Sequence, residues 1–292
     1  MRFLDAVSLA KLKSLSLRLG RLASESHAQG RHKSVFKGYS RDFAQHRAYA
    51  PGDEPRTLDW KVYARTDRFY VKEFMSESVL SGHVLLDASG SMGFSTQGRA
   101  PKWDYACRLA MALGYLILSR GDAAGLLAFG AGAGREVPAK KSLAHLSALD
   151  DALSELSPRG EADLPRALGE TALRLRRRSL VVVISDLLGP PDQIIAAMRG
   201  LRARKNRLVV LQVIDPAERD FPFDGPTEFE SLETGERFFC EASVLRQTYR
   251  EEFARDLSLY EASFAAMGAA YAPCPTDIPW DAALKRLLAS LR

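Results

Sequence analysis

Four short apolar runs constrain this chain more than anything else in it: residues 82–87 (GHVLLD), 123–129 (AAGLLAF), 180–185 (LVVVIS) and 207–214 (RLVVLQVI). None alternates apolar with polar residues, as a strand with one wet face would, so each reads as a strand buried on both sides. Between them lie segments with helical periodicity: Lys102 to Arg120, Leu143 to Leu156, Leu164 to Arg177 and Pro191 to Arg204. Strands alternating with helices of this length imply a doubly wound, mainly parallel α/β sheet flanked by helices. After the last run, residues 227–241 (TEFESLETGERFFCE) read as an inserted β-hairpin around Thr234-Gly235. A long helix from Val244 to Met267, a short strand near 269–272 and a helix from Pro279 to Leu291 finish the pattern.

The first 80 residues follow other rules. Leu12, Leu15, Leu19 and Leu22 fall on one face of a helix spanning residues 4–24, with Lys and Arg opposite. Such a helix docks on its own domain; lying in a membrane surface is the second reading, and only Phe3 offers the aromatic anchor that would favour it. Residues 25–62 are polar and turn-rich, Pro55 bars a regular helix there, and residues 67–74 have strand composition. The expected organisation is an extension, 1–80, packed on an α/β domain, 81–292. Residues 1–80 carry 15 Lys/Arg against 9 Asp/Glu, and residues 81–292 carry 26 against 27, so the net charge of +5 comes from the extension. Its cations are interleaved with acids, which favours internal ion pairs over a nucleic-acid or anionic-membrane surface. Three widely spaced cysteines match neither a disulfide framework nor a zinc site. No run approaches the roughly 18–20 apolar residues that span a bilayer. Charges at Asp5, Lys11, Lys13 and Arg18 interrupt the N-terminal segment, so the expected location is cytoplasmic.

Chemistry concentrates where strands end. Asp87 closes the first run, and Ser89 and Ser91 follow at alternate positions; Asp186 closes the run LVVVIS. In doubly wound sheets ligands collect outside the carboxyl ends of the strands. One carboxylate with two hydroxyls offers the hard oxygens that Mg²⁺ prefers, with Mn²⁺ or Ca²⁺ as alternatives. The plainer reading is that both serines only turn the chain and cap the next helix. Other motifs fail on inspection. Gly130, Gly132 and Gly134 are spaced for a turn rather than a nucleotide loop, and no GxxxxGK[ST] or GxSxG occurs. The five histidines lack ligand spacing.

DASGSM with the later Asp186 resembles the metal-ion-dependent adhesion site of the von Willebrand factor type A fold. The stretch from Gly38 to Phe74 is similar to the signature of the bacterial "domain of unknown function 58" family, through Gly38, Asp42, Phe43, Arg47, Tyr49, Pro51, Gly52, Asp53, Arg56, Asp59, Trp60, Ala64 and Arg65. The resemblance implies that Asp87, Ser89, Ser91 and Asp186 hold a divalent cation whose open position takes a partner's carboxylate. It also implies a distal Thr ligand, but Ala162 stands there, so the site is expected to lack one oxygen unless water, Glu161 or Asp163 replaces it. Two readings of the signature stand: Arg47, Asp53, Arg56, Asp59 and Arg65 form ion pairs over a buried Trp60, or they face a partner. The implied function is a non-enzymatic protein-binding module working beside a MoxR-type AAA+ ATPase in complex assembly or cofactor insertion. The competing readings are a binder of nucleic acid or anionic membrane and a metal-dependent hydrolase built on Asp87 and Asp186.

Overall fold

Apolar strands with no wet face can only be satisfied between two layers of helices, and the computed structural model of the chain has that arrangement. It describes residues 1–5, 7–13, 43–74, 80–96, 98–130 and 134–290. The chain divides into two compact units, residues 1–26 with 80–292 and residues 27–79. In chain order the elements are α1 (residues 7–13), β1 (Phe43–Ala48), α2 (Trp60–Thr66), β2 (Tyr70–Phe74), β3 (Ser81–Asp87), α3 (Lys102–Ser119), β4 (Ala123–Phe129), β5 (Arg135–Lys140), α4 (His145–Ser154) and α5 (Leu164–Arg174). Then come β6 (Leu180–Ser185), α6 (Pro191–Ala203), β7 (Arg207–Ile214), α7 (Pro216–Asp220), β8 (Pro226–Glu230), β9 (Arg237–Glu241), α8 (Ala242–Ala266), β10 (Ala270–Pro275) and α9 (Trp280–Ser290).

The larger unit is built on a six-stranded sheet of order β10-β7-β6-β3-β4-β5. All neighbours are parallel except β5, which returns antiparallel to β4. The expected doubly wound, mainly parallel α/β architecture forms. Period-two alternation sends Val84 and Leu86 of the central strand into one apolar layer with α3, α4 and α9, and Leu85 into the other with α5, α6 and α8. Leu85 and Leu86 are fully buried, so truncating either to Ala would cost about 2–5 kcal/mol. Phe3, Leu4 and Leu12 join the first layer, and the Arg2 and Phe3 amides donate to the Asp150 carboxylate at 2.9 and 3.3 Å. The helix expected over 4–24 is thus seen docked through residue 13; Leu15, Leu19 and Leu22 lie outside the described residues.

The smaller unit departs from expectation. It has a β1–β2 antiparallel pair and a helix, α2, where turns were expected. Pro55 opens a one-turn 3-10 helix, and Asp59 then caps α2 by accepting from the Lys61 and Val62 amides at 2.9 and 3.4 Å. Asp67, in the left-handed region at φ 52°, ends α2, so β2 starts at Tyr70 rather than 67. Trp60 is not buried: it is 61% exposed at the first position of α2, edge-on to Tyr63. Arg47 pairs with Asp53 at 2.8 Å, as the ion-pair reading expected, but Asp59 pairs with His46 at 2.8 Å and Lys72 at 3.4 Å rather than with an arginine. Arg56 and Arg65 are exposed, and Gly38 and Asp42 of the signature lie outside the described residues.

Candidate functional site

The sheet order places its switch point between β3 and β6. From β3 the chain passes through α3 to β4 on one side; from β6 it passes through α6 to β7 on the other. The connections part and leave a crevice at the strands' carboxyl ends, where Asp87 and Asp186 stand.

Asp87 is buried, with Oδ1 accepting the Ser89 amide at 2.9 Å and Oδ2 accepting the Ser185 hydroxyl at 2.6 Å. Ser89 and Ser91 are also buried, and their hydroxyl oxygens are 2.9 Å apart. Backbone contacts hold the loop: the Ala88 amide donates to the Phe129 carbonyl at 2.7 Å, and the Gly90 amide to the Gly160 carbonyl at 2.7 Å. Gly90 is required sterically, because a Cβ there would lie 2.2 Å from the Leu232 carbonyl oxygen. The tip of the β8–β9 hairpin therefore rests against the loop that carries both serines. Its two strands occupy 226–230 and 237–241, close to the insertion expected at 227–241.

Asp186 sits across the crevice. Its Oδ2 accepts from Lys102 Nζ at 2.8 Å and its Oδ1 from the Leu188 amide at 3.2 Å. Leu187, buried and at φ 58°, turns the chain just after it; the left-handed conformation costs a non-glycine residue roughly 1–2 kcal/mol. Lys102 is completely buried and also donates to Glu218 Oε1 at 2.5 Å. Glu218 is anchored in turn by the Asp215 amide, which donates to its Oε2 at 2.8 Å.

These acids repel. Burial, and then the neighbouring Asp186 charge, push the Asp87 carboxyl up to about 6, against opposing hydrogen bonds from Ser185 and Ser89. Burial alone would lower the Lys102 ammonium, but the Asp186 and Glu218 carboxylates outweigh it and raise it. Burial raises Glu218 despite the ammonium beside it. Two carboxylates thus share one resident cation, and Asp87 has none.

The residues fit a small divalent ion. Adjacent oxygens in an octahedron with bonds of roughly 2.1 Å stand about 3 Å apart, the separation of the two serine hydroxyls. Asp87, Ser89 and Ser91 would hold such an ion, which would supply a Lewis-acidic position for a carboxylate. Asp163 plays another part in this structure: its Oδ1 caps α5 by accepting from the Arg166 amide at 2.9 Å. Among the described residues no hydrogen bond joins it to Asp87, Ser89 or Ser91. Ala162 packs its methyl against the second apolar layer and supplies no oxygen. No histidine contacts either serine among the described residues; His83 bonds the Ser81 hydroxyl near the far end of β3.

Lys102 and Glu218 are the residues that sequence reasoning missed. Glu218 was legible as half of a capping box with Asp215. Lys102 left a fainter signal: a lysine opening a helix opposes the helix dipole, which needs compensating carboxylates.

Residues 45–259 match the model of the family described as "Protein of unknown function DUF58". Uncharacterized proteins of Mycobacterium tuberculosis and Mycobacterium bovis are 29% identical over 272 residues, covering 90% of this chain and 83% of theirs. Among solved structures, the conserved hypothetical protein BatB of Bacteroides thetaiotaomicron aligns over 73% of this chain and 98% of its own, with TM-score 0.45 and 17% identity. The VWA domain of SpRpn10 aligns over 71% and 95%, with TM-score 0.42 and 12% identity. The sheet order and flanking helices are those of a doubly wound, mainly parallel α/β fold. No helix among the described residues is long and apolar enough to cross a membrane.

Proposed function

We propose, from the premise that this chain belongs to the DUF58 family of proteins of unknown function, that it is a non-enzymatic protein-binding module whose β3 loop engages an acidic partner residue through a divalent cation. The observation that carries the reading is the buried cradle of Asp87, Ser89 and Ser91, with hydroxyls 2.9 Å apart and a carboxyl under repulsion from Asp186. Mg²⁺ is the cation of choice for three hard oxygens with positions left for water or a carboxylate. The partner suggested by the family resemblance is a MoxR-type AAA+ ATPase in the cytoplasm, which would supply the energy of nucleotide hydrolysis for complex assembly or cofactor insertion.

A hydrolase would need a base beside the ion to activate water; in this reading Asp87 is itself a ligand, Asp186 is held by Lys102 and Asp163 caps α5.

The test uses the purified chain and a purified MoxR-type ATPase. Mn²⁺ or Mg²⁺ titration should show one site in the wild type and none in Asp87→Ala. Capture of the ATPase should be lost both in EDTA and in that variant. Capture unchanged under both conditions would sink the metal-bridge reading.

A further inference from the structure

We infer that Lys102 is a built-in counter-cation that holds Asp186 out of direct metal coordination, so that the ion rests on Asp87, Ser89 and Ser91 while Asp186 is held in reserve. The inference rests on the metal-binding reading and adds to it the residue that limits affinity.

Four observations converge on it. Lys102 has no solvent exposure, so its ammonium cannot exchange carboxylates for water. It contacts two carboxylates, at 2.8 and 2.5 Å, and breaking such a buried pair is costly. Asp186 has both oxygens engaged, one by Lys102 and one by the Leu188 amide, with the left-handed turn at Leu187 fixing its direction. Glu218 cannot swing away to release the ammonium, because its second oxygen is held by the amide that opens α7.

Asp87 differs in the charge of its partners: its two oxygens accept from a neutral hydroxyl and a neutral amide, so no resident cation offsets its charge. Two consequences follow. The ion meets fewer anionic ligands than the two strand-end acids promise, and it lies in the field of a resident positive charge, which weakens binding further. Such a site binds its ion loosely until a partner's carboxylate completes it. Metal and partner then bind cooperatively by linkage.

The experiment measures Mn²⁺ binding, by calorimetry and by loss of the free-ion spin-resonance signal, in four proteins besides the wild type. Lys102→Met should bind Mn²⁺ at least about tenfold more tightly, because Asp186 is released and a like charge is removed. Lys102→Met/Asp186→Asn should return to near the wild-type affinity. Asp186→Asn alone, with Lys102 still paired to Glu218, should change affinity less than about threefold, whereas Asp87→Asn should lose more than about thirtyfold. The Asp186→Asn arm decides the matter even if Lys102→Met does not fold. An Asp186→Asn loss as large as that of Asp87→Asn, or a folded Lys102→Met that binds no more tightly, overturns the inference while leaving the metal reading intact. Absence of Mn²⁺ binding in every protein at millimolar concentration overturns both.

Discussion

Asp59 and Asp87 are both buried acids, one capping α2 and one closing β3, and they have opposite fates. Asp59, in the smaller unit, accepts from His46, Lys72 and two amides of α2, and the hydrogen bond from His46 leads in holding its carboxyl down to about 2. Asp87, in the larger unit, has one hydroxyl and one amide, lies near Asp186, and is pushed up to about 6. The lesson is that burial alone does not mark a site. An acid neutralised by its own chain belongs to the scaffold. An acid left under repulsion at the mouth of a crevice is where a cation from outside gains most.

The sharpest way to break this contrast is to neutralise each acid in metal-free protein. The burial and repulsion that move Asp87 from 3.8 to about 6 oppose folding by about 3 kcal/mol at neutral pH. Asn keeps one acceptor and forfeits a bond worth about 1 kcal/mol, so Asp87→Asn should be about 2 kcal/mol more stable than the wild type. Denaturant titration in EDTA measures this. Asp59→Asn should have the opposite sign, with faster hydrogen exchange at the Lys61 and Val62 amides. Equal signs would dissolve the contrast.

Acid titration gives a smaller, graded version. The folded Asp87 carboxyl holds its proton more tightly than the unfolded one, so its contribution is fully present below 3.8 and is lost as pH rises through about 6. The folded Asp59 carboxyl is lowered, so its contribution is present above 3.8 and is lost as pH falls through about 2. In EDTA, hydrogen exchange should therefore report a gain from Asp87 in the larger unit between pH 7 and 4, and weakening of the smaller unit between pH 4 and 2. Saturating Mg²⁺ should abolish the first slope and leave the second.

The smallest expected effect concerns the missing hydroxyl. Ala162→Thr should tighten Mg²⁺ binding by only about two- to fivefold, since Ala162 packs on an apolar layer and a hydroxyl there must first leave it. A gain above about a hundredfold in calorimetry would mean that the absent threonine, rather than Lys102, limits the ion's affinity.

Much of the fold was legible because its signals are local. The strands Ala123–Phe129, Leu180–Ser185 and Arg207–Ile214 begin and end where the apolar runs do, since a strand buried on both faces is apolar nearly throughout; Gln212 in β7 is admitted because it bonds the Asp186 carbonyl and the Tyr271 hydroxyl. The smaller unit was read less well. Pro55 suppressed the expectation of a helix, yet Asp59 restarts one four residues on. Trp60, which the ion-pair reading put beneath the charges, emerges at the exposed start of that helix because Asp59 takes the buried, bonded position.

The amino-acid sequence by itself determined the α/β pattern, the placing of Asp87, Ser89, Ser91 and Asp186 at strand ends, and the loss of a hydroxyl at Ala162. Those are consequences of periodicity and residue type, which act over a few neighbouring positions. Only the tertiary structure decided that Asp186 is already paired. Its ammonium comes from a residue 84 positions earlier, shared with a carboxylate 116 positions later than Lys102. Charges so distant in the chain meet only because the sheet brings the start of α3 and the start of α7 together at the carboxyl ends of its strands, and no local pattern records that meeting.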